Sequence, residues 1–314
     1  TWINENKYQE AYTYATKVIA DGHYPLASDY REIFLADNNT CKEIIWPLVQ
    51  DGLRAQSSAG TNFYVKAFVN GPMDELYKTG VGSRGWGNVR AKVSLVDAFD
   101  ADDVMFDGND TWGNNKKDKR AQFMTALPNQ VKDTWDVNMD MTSTFTCGYG
   151  YIKWRNVTKE DELSASGDAY TSIDFPLFRT ADAYLMAAEA ILRGASGTQS
   201  EALGYVNEVR TRAYMSGKYA KSGVRSDVSG EIGANELDLD FLLLERQKEL
   251  ASELIRRTDL IRFGKYTKGN NWDWKNGVRL GEYVDDKYNL FPIPESELTN
   301  NPTLVQNDGY KVIK

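Results

Sequence analysis

Apolar residues recur with helical spacing in three stretches of the chain. Tyr8, Ala11, Tyr12, Ala15, Val18 and Ile19 fall at steps of three and four, which predicts an amphipathic helix stopped by Gly22. Tyr24, Pro25 and Leu26 open a shorter helical run to about Ala36. Ala181, Tyr184, Leu185, Ala188, Ile191 and Leu192 repeat the stripe. After the turn Gly194–Gly197 it resumes with Ala202, Tyr205, Val206, Val209 and Ala213, so residues 180–214 read as an αα-hairpin. The third stretch, Leu239 to about Phe263, reads as one long helix with Leu239, Leu243, Leu250 and Leu254 on one side and a dense row of charges on the other. Alanines at the packing positions let helices approach closely. That suggests irregular tetratricopeptide-like pairs, although no clean period of about 34 residues runs through the chain.

The intervening segments have a different pattern. Residues 50–175 hold most of the Gly, Asn, Asp, Thr and Trp, with short candidate strands at Thr61–Val69 and Tyr149–Trp154 between turn signals such as Asn70-Gly71-Pro72 and Asp107-Gly108. A second loop region carries Asn271, Trp272, Asp273 and Trp274, and the tail breaks helices at Pro292 and Pro294. The expected architecture is all-α. A helical scaffold spans residues 1–48 and 176–264, a loop-rich excursion spans 49–175, and a loop with an extended tail spans 265–314. Long loops on a rigid scaffold are where binding usually sits.

Composition narrows the chemistry. The chain has 314 residues, 41% hydrophobic and 26% charged, which excludes collagen, a disordered chain and a disulfide-stapled miniprotein. No window approaches the roughly 18 uninterrupted apolar residues of a membrane-spanning helix. Cys41 and Cys147 form no C-x-x-C pair, and the single histidine, His23, removes any mechanism needing two. A net charge of −8 argues against nucleic acid, whose phosphates demand a basic face, and leaves neutral or weakly charged ligands open. Eight Trp and 18 Tyr are many for this length. Their flat apolar faces and polar edges suit stacking on sugar rings. Any single large aromatic is as readily a core residue, since such side chains are highly buried on average.

Three motifs compete with that reading. Gly80-Val81-Gly82-Ser83-Arg84-Gly85 matches a dinucleotide fingerprint, but no apolar strand precedes it and no helix follows, so it reads as a flexible loop. The acidic segment Asp97, Asp100, Asp102, Asp103, Asp107 and Asp110 departs from EF-hand spacing. It reads as solvated turns, with a structural Ca²⁺ as the one cofactor left open. Glu249 and Glu253 could supply the acid and nucleophile of a glycoside hydrolase. Interleaved with Arg246, Arg256 and Arg262, they more naturally form ion pairs that lock helix to helix.

Several runs together resemble the SusD/RagB-like family: Asp174–Ala190 (DFPLFRTADAYLMAAEA), Tyr205–Ala213 (YVNEVRTRA), Leu243–Phe263, and the ending Leu290–Leu298 with Asn301–Tyr310. Lys7–Leu26 is similar to the family's repeat helix, and Gly85-Trp86-Gly87 with Leu95–Asp103 to its glycine-tryptophan and acidic segments. The resemblance implies a lipoprotein on the outer face of the outer membrane that lids a SusC-like TonB-dependent transporter. Such a protein captures an oligosaccharide or polysaccharide without cleaving it. It also implies a scaffold role for Arg179, Glu189, Arg210, Glu245, Glu249, Glu253, Arg256 and Asp259. The family's lipidated cysteine and N-terminal helical portion have no match here, so the chain is expected to be one N-terminally incomplete domain, with its anchor outside it. Within the long helix, Ser252, Leu254, Ile255, Arg257 and Thr258 depart from the family's usual aromatics, Gly or His.

The expected ligand site is an open platform of Tyr77, Trp86, Trp112 and Trp154, with Asn88, Asn114 and Asn115 bonding sugar hydroxyls. Of these only Trp86 rests, weakly, on the family motif. The alternatives are the hydrolase and a scaffold that binds only the transporter.

Overall fold

Local stop signals set the helices of the first half. The computed structural model describes residues 5–54, 56–69, 74, 77–104, 112–113, 115–125, 148–215, 229–269, 272, 275–278 and 281–311. Helix α1 (Tyr8–Asp21) ends at Gly22, whose φ of 69° is left-handed. The helical run expected over Tyr24–Ala36 contracts to a single 3-10 turn, Tyr30–Phe34, capped by the Asp29 carboxylate, which accepts from Arg31 N (2.9 Å). Strand β1 (Ile44–Leu48) follows. Helix α2 (Thr61–Lys66) occupies the segment expected to be a strand, because Thr61 Oγ1 donates to Ile173 O (2.9 Å) and Val65 packs beside Ile173 in the core. Two short helices, α3 (Val93–Val96) and α4 (Ala101–Val104), precede strands β2 (Phe123–Met124) and β3 (Gly150–Tyr151), which pair antiparallel.

Strand β4 (Phe175–Arg179) pairs antiparallel with β1, Leu48 opposite Phe175 and Ile44 opposite Arg179, and runs directly into α5 (Thr180–Leu192). The expected αα-hairpin is present: α5 packs on α1 and on α6 (Gln199–Met215). Its turn is held by Ala195 N donating to Ala190 O (2.9 Å), with Gly194 at φ 107°. A capping box restarts the chain, Thr198 Oγ1 accepting from Glu201 N (3.2 Å) while Glu201 accepts from Thr198 N (2.7 Å). Ala181, Leu185, Ala188, Ala202, Val206 and Val209 form the buried contact.

The long helix expected over Leu239–Phe263 is two. Helix α7 (Leu239–Leu250) stops where Ala251 turns extended, and Ser252 and Leu254 adopt positive φ before α8 (Arg256–Arg262) begins. Buried donors cause the break. Glu249 O accepts from Tyr30 Oη (3.1 Å), Arg179 Nη2 (2.8 Å) and Lys153 Nζ (3.3 Å), and Ala251 O accepts from Lys153 Nζ (2.7 Å).

The chain forms two compact units, Thr1–Glu253 and Leu254–Lys314. In the second, Arg257 lies over the rings of Tyr266 (5.0 Å) and Phe291 (4.2 Å), and its guanidinium donates to Tyr288 O (2.8 Å). Trp272 Nε1 donates to Tyr266 O (3.0 Å). Gln306 bonds both N and O of Ile293, holding the tail beside helix α9 (Glu295–Asn300). The architecture is helix-rich rather than purely helical, with two small antiparallel sheets among the described residues.

Candidate functional site

Phe63 and Trp86 form an exposed aromatic corner. On α2 Val65 points into the core and Tyr64 stacks on the buried Trp154 (5.3 Å, 27°), which leaves Phe63 outward. Segment 85–89 is pinned to the end of α2: Trp86 N donates to Lys66 O (2.8 Å) and Val89 N to Ala67 O (3.0 Å). Gly87 between them sits at φ 59°, the left-handed region that glycine enters without strain. This holds the indole 6.2 Å from the Phe63 ring at 60°, with Phe63 44% and Trp86 39% exposed.

Polar groups accompany the corner. Arg84 Nε donates to Asp168 Oδ1 (3.0 Å), both partly exposed, and Lys66 Nζ donates to Ala169 O and lies 5.9 Å from the Tyr170 ring. Burial, then the nearby Arg84, lowers the Lys66 ammonium pKa. Asn88 is exposed. Flat apolar faces beside a fixed donor–acceptor pair can stack on a ring's C–H face and bond its hydroxyls. Phe63, Lys66, Arg84 and Asp168 escaped the sequence reading. The first two lay in a presumed strand, and the ion pair joins loops 84 residues apart.

The rest of the expected platform is interior. Trp154 is 1% exposed, parallel to Phe175 (5.6 Å, 8°) and edge-on to Phe34 (4.9 Å). Trp112 is 5% exposed beneath the Arg155 guanidinium (4.5 Å). Tyr77 is 5% exposed, its hydroxyl donating to Thr125 O (3.0 Å). These rings fill the core that an irregular, helix-poor segment cannot build from aliphatic stripes, and they offer no face to a ligand. Asn115 is exposed, while Asn114 lies outside the described residues.

The charge row is a buried network. Arg179 pairs with Glu43 (2.8 Å), Glu249 (2.6 Å) and Glu253 (2.7 Å). Arg120 pairs with Asp118 (2.8 Å), Glu245 (2.6 Å) and Glu249 (3.2 Å). Arg212 reaches Glu43 (2.6 Å) and Glu249, Arg210 reaches Glu245 (2.6 Å), and Lys153 reaches Glu253 (2.5 Å). Burial favours protonation of Glu249, but Arg212, Arg179 and Arg120 overrule it and hold the carboxyl well below the usual range. In Glu253 burial is likewise outweighed, by Arg179 and Lys153. Burial pushes the Lys153 ammonium down to about 8 against the pull of Glu253. A glycosidase acid needs a raised pKa and access to a cleft. This pair has neither.

The glycine loop and, in the acidic segment, Asp103 are also spent internally, while Asp97, Asp100 and Asp102 are exposed. Asp74 occupies the amides of the glycine loop, accepting from Val81 N (3.0 Å) and Gly82 N (2.9 Å), where a phosphate would have to sit. Asp103 caps the 117–118 turn, accepting from Lys117 N (2.6 Å) and Asp118 N (3.0 Å), while Asp107 and Asp110 lie outside the described residues. Among the described residues no group of three acidic, His or Cys side chains could hold a metal ion.

The sequence model of the SusD family matches residues 42–310. The chain belongs to the SusD family. It is 32% identical to the starch-binding protein SusD of Bacteroides thetaiotaomicron over 99% of this chain and 57% of that protein. A SusD-like protein from Bacteroides fragilis has the same fold, with TM-score 0.65 at 21% identity, over 98% of this chain and 63% of that one. Surface glycan-binding protein A from Bacteroides thetaiotaomicron, in complex with laminarihexaose, superposes with TM-score 0.62 at 21% identity, over 98% and 61%. The chain thus spans less than two thirds of each of these relatives.

Five of the eight residues to which the SusD-family resemblance gave a scaffold role lie in the buried network. Arg179, Arg210, Glu245, Glu249 and Glu253 are members of it, and Glu189 pairs with Arg193 (2.9 Å) on α5. In the second unit Asp259 pairs with Arg262 (2.6 Å). These charged signature residues are spent on packing, while of the exposed corner only Trp86 falls on the short glycine-tryptophan segment, Phe63 lying outside the runs that carry the resemblance.

Proposed function

We propose that this chain binds a glycan at the cell surface without cleaving it, and that the corner of Phe63 and Trp86 is its contact, with Arg84, Asp168 and Asn88 bonding hydroxyls. The exposed, backbone-pinned ring pair is the observation that carries the reading. Support comes from a relative named for starch binding and a structural relative solved with laminarihexaose. Within the whole protein the bound glycan passes to a SusC-like TonB-dependent transporter. The scaffold is built from tetratricopeptide-like helix pairs such as α5–α6, the protein is held to the outer membrane by a lipid anchor, and no cofactor takes part.

An open corner buries little ligand, so affinity per site is modest and multivalency retains the chain. Titration with a panel of soluble oligosaccharides, followed by tryptophan fluorescence, tests the reading. A saturable change that Trp86→Ala removes supports it, and no response to any glycan overturns it. Capture of a transporter barrel by a chain silent to every glycan would favour the pure scaffold instead.

A further inference from the structure

In the first unit a cavity of about 270 Å³ opens among Pro25–Ser28, Glu32, Asp37, Thr40–Glu43 and Lys159. None of the corner residues lines it. One wall is the backbone and apolar side chains of Pro25, Leu26 and Ala27, fixed because Ala27 N donates to Glu43 Oε2 (2.8 Å). A second part of the lining is fixed by Asp37, whose carboxylate accepts from Lys159 N (3.1 Å). Both parts are thus built before any ligand arrives.

We propose that this cavity binds one neutral sugar unit, independently of the aromatic corner. Size sets the first limit: the volume falls just below the roughly 300–1,000 Å³ of pockets for drug-sized ligands, which suits a single hexose ring. Charge sets the second. Of the three lining carboxylates, Glu43 is neutralised by Arg179 and Arg212. Glu32, Asp37, Lys42 and Lys159 also line the cavity, two acids and two ammonium groups. A ligand with net charge would be attracted by one pair and repelled by the other. A hydroxyl both donates and accepts, so a polyol uses both pairs, and hydrogen bonds to charged groups are the stronger kind. The wall of Pro25 and Leu26 receives the ring's C–H face.

Cys41 lines the cavity with a free thiol and serves as a reporter. Burial pushes that thiol up to about 11, so alkylation is followed at mildly alkaline pH. Cys147→Ser protein leaves Cys41 as the sole thiol. Its alkylation by iodoacetamide is timed by mass spectrometry with D-glucose, D-galactose or D-mannose, and with D-glucuronate and N,N,N-trimethyl-D-glucosamine, whose quaternary ammonium stays charged at that pH, as charged controls. At least one neutral hexose should slow the reaction, by about 10-fold at a concentration roughly 10-fold above its dissociation constant. The slowing should vanish in Glu32→Gln/Lys42→Gln protein and persist in Trp86→Ala. If the double variant fails to fold, Ser28→Trp, an exposed position on the cavity lining, replaces it as the blocking variant. The proposal is overturned by no effect of any neutral hexose, by slowing confined to the charged sugars, or by slowing that survives the blocking variant. Slowing lost with Trp86→Ala would assign the effect to the corner and overturn it equally.

Discussion

Trp86 and Phe63 are exposed yet held in place, which separates their role in binding from any role in folding. Trp86→Ala should weaken glycan binding about 10-fold or more, equivalent to about 1.4 kcal/mol, and Phe63→Ala somewhat less. The melting temperature should barely move, because both rings already face water; calorimetric titration and a thermal melt on the same samples check this. Glu249 behaves in the opposite way. Glu249→Gln leaves Arg120, Arg179 and Arg212 facing a neutral amide inside the protein, where breaking a buried charge network costs about 3–5 kcal/mol. A lowered urea midpoint, with any residual glycan affinity unchanged, is the expected pattern. Sequence alone gave the right role for Glu249 and the wrong one for Trp112 and Trp154. Alternating acids and arginines identify an ion-pair row, whereas an aromatic in a loop carries no periodic signal of the side it faces.

Elements whose ends are set by neighbouring residues were legible in the sequence. Gly22, Gly194 and the Thr198–Glu201 box close or open α1, α5 and α6 close to where their spacing predicts. Thr198→Ala should cost about 1 kcal/mol through loss of the cap, read as a small drop in melting temperature. The break after Leu250 was not legible, because its donors, Tyr30, Lys153 and Arg179, come from 70 to 219 residues away. The helix at Thr61–Lys66 was missed for a related reason. Its Thr, Phe, Tyr and Val favour a strand locally, and the core contact with Ile173 overrides that preference. Gly80 shows the same dependence on distant chain: a Cβ there would lie 2.5 Å from Asn156 O, with φ at 77°. Gly80→Ala should therefore destabilise the loop that leads into Trp86, and reduce glycan affinity without touching the rings.

For the molecule as a whole, the charge network links α6, α7, β4 and the loops around Glu43, Arg120 and Lys153 into one acid-sensitive body. Glu249 and Glu253 have folded pKa values below the ordinary carboxylate value of about 4.3, so between the two values the unfolded chain binds more protons. Their contribution is fully present above that value and is lost as pH falls through the folded pKa. Chemical denaturation should show stability flat with respect to these groups near neutrality and declining steeply below about pH 4.3. Burial should make the effect insensitive to added salt. The corner lies outside this network, so a glycan contact there can vary while the frame stays constant. The most direct measurement is calorimetric titration of a soluble oligosaccharide panel into the wild-type chain, Trp86→Ala and Phe63→Ala, each shown by thermal melt to be folded. At least one glycan should bind the wild type saturably, and both substitutions should weaken that binding at unchanged stability. Wild-type affinity retained by both folded variants would contradict the assignment of the corner as the glycan contact.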